Sequence, residues 1–359
     1  MEFSYYVQAI LFFFAAFGIS YFVLPAIINV VKLKRLYEKR NDRSSHYNPT
    51  PSFGGIALFV VLILALSLAE HLFENQMTNY VITGLTILFF VGLKDDLTGI
   101  SPRNKLISQV LATSFLFLSP HYQIVDFQGW LGIHIMHPFL FFPLAFLVVA
   151  FFVNAYNLID GIDGLAAMLG IVFACGFALF FVALQDWALL FSCVALIGGL
   201  LAFLRYNLSP QRKIFLGDTG SLVLGFFFVS CVLALLSREQ VLLYQIKAQN
   251  FPYVLIALLF VPVADSLRVF FVRIKEGRSP FSADRNHIHH VITDYFNWSH
   301  ARTSLTLAII NMVVFVLVFV LSIYATQWVV ALFLLSLLAA LTTFLTSLRK
   351  KRDNSTEVL

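Results

Sequence analysis

Residues 138–184 read PFLFFPLAFLVVAFFVNAYNLIDGIDGLAAMLGIVFACGFALFFVAL. Two apolar stretches, 138–154 and 162–184, meet at a short polar link, and Asn157, Asp160 and Asp163 lie in it or just beyond it. Stretches of about 17 to 25 apolar residues cross a bilayer as helices, because a helix satisfies its own backbone donors and acceptors in hydrocarbon. The segment reads as two membrane helices joined by an acidic turn at the membrane surface.

The same reading extends outward over the chain. Apolar runs fall at 5–31, 53–69, 80–94, 104–118, 138–154, 162–184, 187–205, 219–236, 251–272, 303–324 and 327–348. The expected fold is an all-α integral membrane protein, a polytopic bundle of about eleven transmembrane helices. The fourth and fifth runs carry the weakest signal, so ten is the alternative. With 359 residues, 60% hydrophobic, 12% charged and a mean hydropathy of +0.86, a soluble globule is excluded. Cys175, Cys193 and Cys231 lie inside apolar runs without CxxC spacing, which suggests buried packing thiols.

Charge orients the bundle. No basic region precedes the first run, so it reads as an uncleaved anchor with the amino terminus outside and the carboxyl terminus cytoplasmic. On that orientation only Arg238 and Lys247 of the 24 Lys and Arg fall in external loops, as the positive-inside rule requires. The net charge of +5 is therefore a topology signal and not a nucleic-acid signature. Residues 1–348 are expected to form one membrane domain, with 349–359 a short basic tail, and the external segment 118–137 a small hairpin.

Acidic residues recur on the inner side: Asp95 and Asp96 in VGLKDDLTGI, Asp160 and Asp163, Asp218 in FLGDTGS, and Asp284 in SPFSADRNHIHH. Carboxylates beside hydrocarbon are costly, so a cluster facing cationic loops suggests a divalent metal and a phosphate substrate. Asn157, Asp160 and Asp163 recur every three positions and would share a face if helical. Adjacent Asp95 and Asp96 repel unless a metal or a lysine such as Lys94 relieves them. The loop of Gly217 to Ser221 opens a helix whose free N–H groups would attract phosphate. His287, His289 and His290 beside Arg285 suit diphosphate binding or proton handling better than zinc. Each feature alone has a plainer reading, as an Asx cap, a solvated acidic pair, an N-cap or a loose surface histidine cluster. Asp265 and Arg268 read as a structural ion pair.

Taken together, KDDLTG, NAYNLIDGIDGLA, FLGDTGSLVLG and SPFSADRNHIHH resemble the polyprenyl-phosphate N-acetylhexosamine-1-phosphate transferases, the WecA and TagO branch of the MraY-like superfamily. The resemblance runs from about residue 32 to 300. NPTPSFGG is similar to the family's first cytoplasmic loop, and DRNHIHH departs from the MraY form, which argues against a muramoyl-pentapeptide donor. What the resemblance implies is transfer of an N-acetylhexosamine 1-phosphate, GlcNAc first, from a UDP-sugar to undecaprenyl phosphate with release of UMP. Another UDP-amino sugar is the alternative. Mg²⁺ is the implied cofactor, with Mn²⁺ as substitute, and the site faces the cytoplasm from a bacterial inner membrane. A homodimer is compatible by analogy.

The expected roles follow. Asp95, Asp96, Asp163 and His290 would be catalytic, Asp218 and Asp160 metal ligands, and Asn157, Phe215, Lys94, Arg285, His287 and His289 substrate contacts. Direct displacement with Asp95 as base is preferred to a phospho-aspartyl route. A transporter or flippase is the rival class, disfavoured because the polar groups gather at one interface and no repeated halves are seen.

Overall fold

The computed structural model describes residues 2–34, 50–73, 77–124, 126–238, 245–279 and 286–356. Asp284 and Arg285 lie outside the described residues, as does the start of NPTPSFGG. In chain order the main helices are α1 (Glu2–Lys34), α2 (Gly55–Phe73), α3 (Met77–Thr98), α4 (Pro102–Leu116), α5 (Pro138–Ile159), α6 (Leu165–Ala183) and α7 (Trp187–Asn207). They continue with α8 (Gly217–Leu236), α9 (Phe251–Leu258), α10 (Phe260–Lys275), α11 (Ile288–Phe296), α12 (His300–Tyr324) and α13 (Gln327–Thr356). The expected hairpin is present as β1 (Asp126–Trp130) paired antiparallel with β2 (Ile133–Ile135).

Among the described residues nine helices are long and apolar enough to cross a membrane, and a broken pair, α9 with α10, makes ten. The fourth run, 104–118, became α4, whose 15 residues span only about 22 Å at 1.5 Å per residue. It nevertheless travels the depth that α3 travels. Lys105 in its first turns meets Asp95 at the end of α3, and Tyr122 beyond its end donates to the Met77 carbonyl at the start of α3. A turn and the short 3₁₀ helix Pro120–Tyr122 supply the missing length.

The run 251–272 is not one helix: it breaks at Leu259 with a bend of 79°. Pro262 is the cause, since a proline ring clashes with the carbonyl four residues earlier and offers no N–H of its own. The Leu258 carbonyl so released accepts from Asn311 Nδ2 at 2.7 Å, while Asn311 Oδ1 accepts the Val261 N–H at 2.9 Å. One fully buried amide on α12 thus repairs the break, as hydrocarbon demands.

Helix α8 is the axis of the bundle and packs against α2, α3, α5 and α6. Close approach is bought with glycine: a Cβ on Gly55 of α2 would fall 2.1 Å from the Gly220 nitrogen, and one on Gly92 of α3 would fall 2.5 Å from the Thr219 Cα. These contacts bring the start of α2, the end of α3 and the start of α8 to a single end of the bundle. The hairpin occupies the opposite end, where Gln327 of α13 accepts the Leu131 N–H and donates to the Gly129 carbonyl. Cys193 and Cys231 are buried as expected, but Cys175 is exposed on the surface of α6.

Candidate active site

Asp95, Asp96, Asn157 and Asp218 come from three helices and meet at the end of the bundle opposite the hairpin. Asp95 and Asp96 do not face each other. Asp95 Oδ1 accepts the Ile100 N–H at 2.7 Å, and Asp95 Oδ2 lies 2.6 Å from Lys105 Nζ. Asp96 turns the other way, its Oδ1 accepting the Asp218 N–H at 2.8 Å and its Oδ2 the N–H and hydroxyl of Thr219 at 2.9 and 2.5 Å. The acceptor at the start of α8 is therefore the Asp96 carboxyl itself. The expectation of N–H groups free for phosphate at Asp218 and Thr219 is corrected, because a buried helix start takes the nearest carboxylate to satisfy its donors and dipole.

The carboxylate of Asp218 stays more open, with 32% of its side chain exposed. Its Oδ2 lies 3.2 Å from Lys105 Nζ, and Asn157 Nδ2 donates to its Oδ1 while also reaching Ser221 Oγ at 2.7 Å. Lys105 is the cation that holds Asp95 and Asp218 together. Lys94, expected as a substrate contact, is exposed one residue before the acidic pair.

Asn157, Asp160 and Asp163 do not share one helical face. Helix α5 ends at Ile159, Asp160 is its C-cap, and Gly164 at φ +83° turns the chain into α6. Asp163 is thereby carried to a second cluster, where its Oδ2 meets Lys213 Nζ at 2.6 Å and His300 Nδ1 at 2.9 Å. Ser304 donates to the Asp163 carbonyl, and Asn207 Oδ1 accepts the Gly164 N–H. Burial alone would raise the Asp163 carboxyl, but the His300 hydrogen bond and the Lys213 ammonium outweigh it and hold it below its ordinary 3.8. Lys213 Nζ also sits 5.3 Å from the centroid of the Phe215 ring.

The histidine segment is fixed from below. Asp265, buried on α10, accepts the Ile288 N–H at 2.9 Å and pairs its other oxygen with His287 Nδ1 at 2.8 Å. Arg268 adds a 2.9 Å bond to Asp265 and a further one to the Asn286 carbonyl. The expected ion pair exists, and it serves to anchor the segment; His287 is buried in that anchor. His289 is 1% exposed, neither ring nitrogen has a hydrogen-bond partner among the described residues, and the ring lies against Gly161, where a Cβ would come within 2.1 Å of Nε2. Burial, and then the neighbouring His290, push its pKa well below 6.5, so the ring is neutral. His290 packs beside it, ring centroids 4.2 Å apart.

Lys105, Lys213, Asn207 and His300 are the residues that sequence reasoning missed. For Lys105 the local hint is faint, a cation nine positions past Asp96 that the positive-inside pattern accounts for equally well. The others carry no local signal, since Lys213 and His300 meet Asp163 across 50 and 137 positions of chain.

The donor set can be tested against Mg²⁺. Among the described residues no three of His, Cys, Asp or Glu gather into a cage. Mg²⁺ rarely uses one, taking one or two carboxylates with waters and substrate phosphate oxygens. Asp95 and Asp218, with the Asn157 Nδ2 group steadying the second of them, present an open pair of carboxylates already attracting one cation. Those residues fit the ion.

Comparison with known proteins gives the same direction. Residues 78–236 match the model of a family described as glycosyl transferase family 4. The chain is 30% identical over 286 residues to a decaprenyl-phosphate N-acetylglucosaminephosphotransferase of Mycobacterium leprae, covering 74% of this chain and 71% of that protein. It is also 30% identical over 277 residues to an undecaprenyl-phosphate alpha-N-acetylglucosaminyl 1-phosphate transferase of Escherichia coli K12, covering 73% and 70%.

Proposed function

The chain belongs to the polyprenyl-phosphate N-acetylglucosamine-1-phosphate transferases of glycosyl transferase family 4, and from that membership we propose that it moves GlcNAc 1-phosphate from UDP-GlcNAc to a polyprenyl phosphate, releasing UMP. One observation carries the site: Asp95, Lys105, Asn157 and Asp218, brought from four helices, converge at one end of an apolar bundle. The asymmetry of Lys and Arg supports placing that end at the cytoplasmic face of a bacterial inner membrane, where a nucleotide sugar is available.

The reaction joins two anions, so positioning and charge neutralisation must dominate over bond polarisation by acids or bases. A bound Mg²⁺, held by Asp218 and Asp95, would neutralise the donor diphosphate and the departing UMP. Asn157 holds the Asp218 carboxylate in place. Lys105 supplies a mobile ammonium to the same phosphates. A phosphate monoester with a second pKa of about 6 is already ionised at pH 7, so the acceptor oxygen needs little help from a base. Asp95 therefore serves better as a ligand than as the base expected from the family. The Asp163, Lys213 and His300 cluster, with Phe215 beside it, would form the nucleotide side of the pocket, and His289, packed against Gly161, would adjoin it with His290.

Purified protein in detergent, given UDP-GlcNAc, undecaprenyl phosphate and Mg²⁺, is expected to release UMP and yield a lipid-linked diphosphate sugar by mass spectrometry. Asp218→Ala should reduce turnover by about 10²-fold or more. No UMP from monodisperse protein with any of several UDP-amino sugars would overturn the assignment.

A further inference from the structure

Lys105 stands where a metal would stand. Its Nζ bridges Asp95 Oδ2 at 2.6 Å and Asp218 Oδ2 at 3.2 Å, and 15% of its side chain is exposed. Two carboxylates this close repel strongly in a partly buried site, and the ammonium is what relieves them. Its backbone is fixed, since the Lys105 N–H donates to the carbonyl of Ser101, whose hydroxyl caps α4. The ammonium, by contrast, rides on four flexible methylenes. A fixed base with a movable head is the geometry of a displaceable ion.

We propose that Lys105 is a built-in competitor for the divalent cation: it occupies the Asp95 and Asp218 carboxylates when no ion is bound, and yields them on binding. The inference rests on the reading of Asp95 and Asp218 as the metal ligands, and adds a function for the lysine. The competition has two consequences. Cation affinity is held below what two carboxylates would give, so the ion binds firmly only when a diphosphate adds its own oxygens. The displaced ammonium is then released next to those same phosphates. Metal loading and donor binding become coupled, with Lys105 as the link.

The test uses full-length protein in detergent and Mn²⁺ alone, without substrates, read by electron paramagnetic resonance titration of free Mn²⁺. Removing the ammonium in Lys105→Met, or in Lys105→Gln, whose amide can still bridge the carboxylates if methionine misfolds, is expected to tighten Mn²⁺ about ten-fold, the size of one partly screened like-charge interaction. Lys105→Arg, which keeps the charge, should stay near the parent. Equal or weaker binding in folded Lys105→Gln would overturn the proposal, since the lysine would then be organising the ligands and not competing for them. A parent and neutral variants that all fail to bind Mn²⁺, or that bind it equally well after Asp218→Asn, would instead remove the metal site on which the inference rests.

Discussion

Asp96 Oδ1 accepts the backbone N–H of Asp218 at 2.8 Å, so one member of the acidic pair on α3 caps the helix that presents another acid of the site. Two neighbours in sequence have thereby been given different work. Asp95 looks outward to Lys105, whereas Asp96 looks inward and sets the position of α8.

Asp96→Ala should expose this difference. It would orphan the Asp218 and Thr219 N–H groups and the Thr219 hydroxyl, and loss of a side-chain cap costs about 0.5–2 kcal/mol, with more for buried donors. The expected outcome is a lowered thermal midpoint in detergent together with lost turnover. Asp95→Ala, in contrast, should lose turnover with a smaller thermal effect. Equal midpoints for the two variants would contradict the capping role.

Gly161→Ala probes the contact between the acidic loop and the histidine segment. The new methyl would lie 2.1 Å from His289 Nε2, so the ring must move although the backbone of Gly161 has no positive φ to protect. Turnover is expected to fall at least ten-fold while expression and membrane insertion stay near the parent, because one displaced ring costs site geometry more than it costs the fold. Unchanged kcat and KM would show that His289 has no part in the site.

Asp265→Asn tests the anchor beneath the histidines. The buried charge would vanish, leaving Arg268 and His287 without their carboxylate partner, and removal of one member of a buried ion pair costs about 3–5 kcal/mol. Yield should drop sharply. Protein that survives should also show a raised KM for the UDP-sugar, which a purely structural ion pair remote from the site would not produce.

Two groups predict the response to acid. His289 has a folded pKa well below 6.5, so the unfolded chain binds its proton first; the stability due to its neutral state is complete above about pH 6.5 and declines as the pH falls below it. Asp163, also depressed, keeps its contribution until the pH drops below its ordinary 3.8. Between pH 7.5 and 5 His289 therefore contributes a fall in the thermal midpoint, and Asp163 contributes none. His289→Gln should flatten that slope, and an equally steep slope in the variant would refute the assignment.

The sequence by itself determined the membrane class, the helices and the hairpin, and it named most of the acids that now cluster. These are legible because they are local: a run of apolar residues such as 162–184 must span or be buried whatever its neighbours do. The tertiary structure alone decided which way each acid points. Adjacent Asp95 and Asp96 diverge because the N–H groups at the start of α8 needed an acceptor, and Asn157 and Asp163 part company because α5 ends at Ile159. It also chose Lys105 over Lys94, and it broke the run through Leu259 because Asn311 on a distant helix could repair what Pro262 opened. Each of those choices pairs a charge or a backbone group with a partner far along the chain. In a medium without water such partners must be found somewhere, and only the packed bundle fixes where.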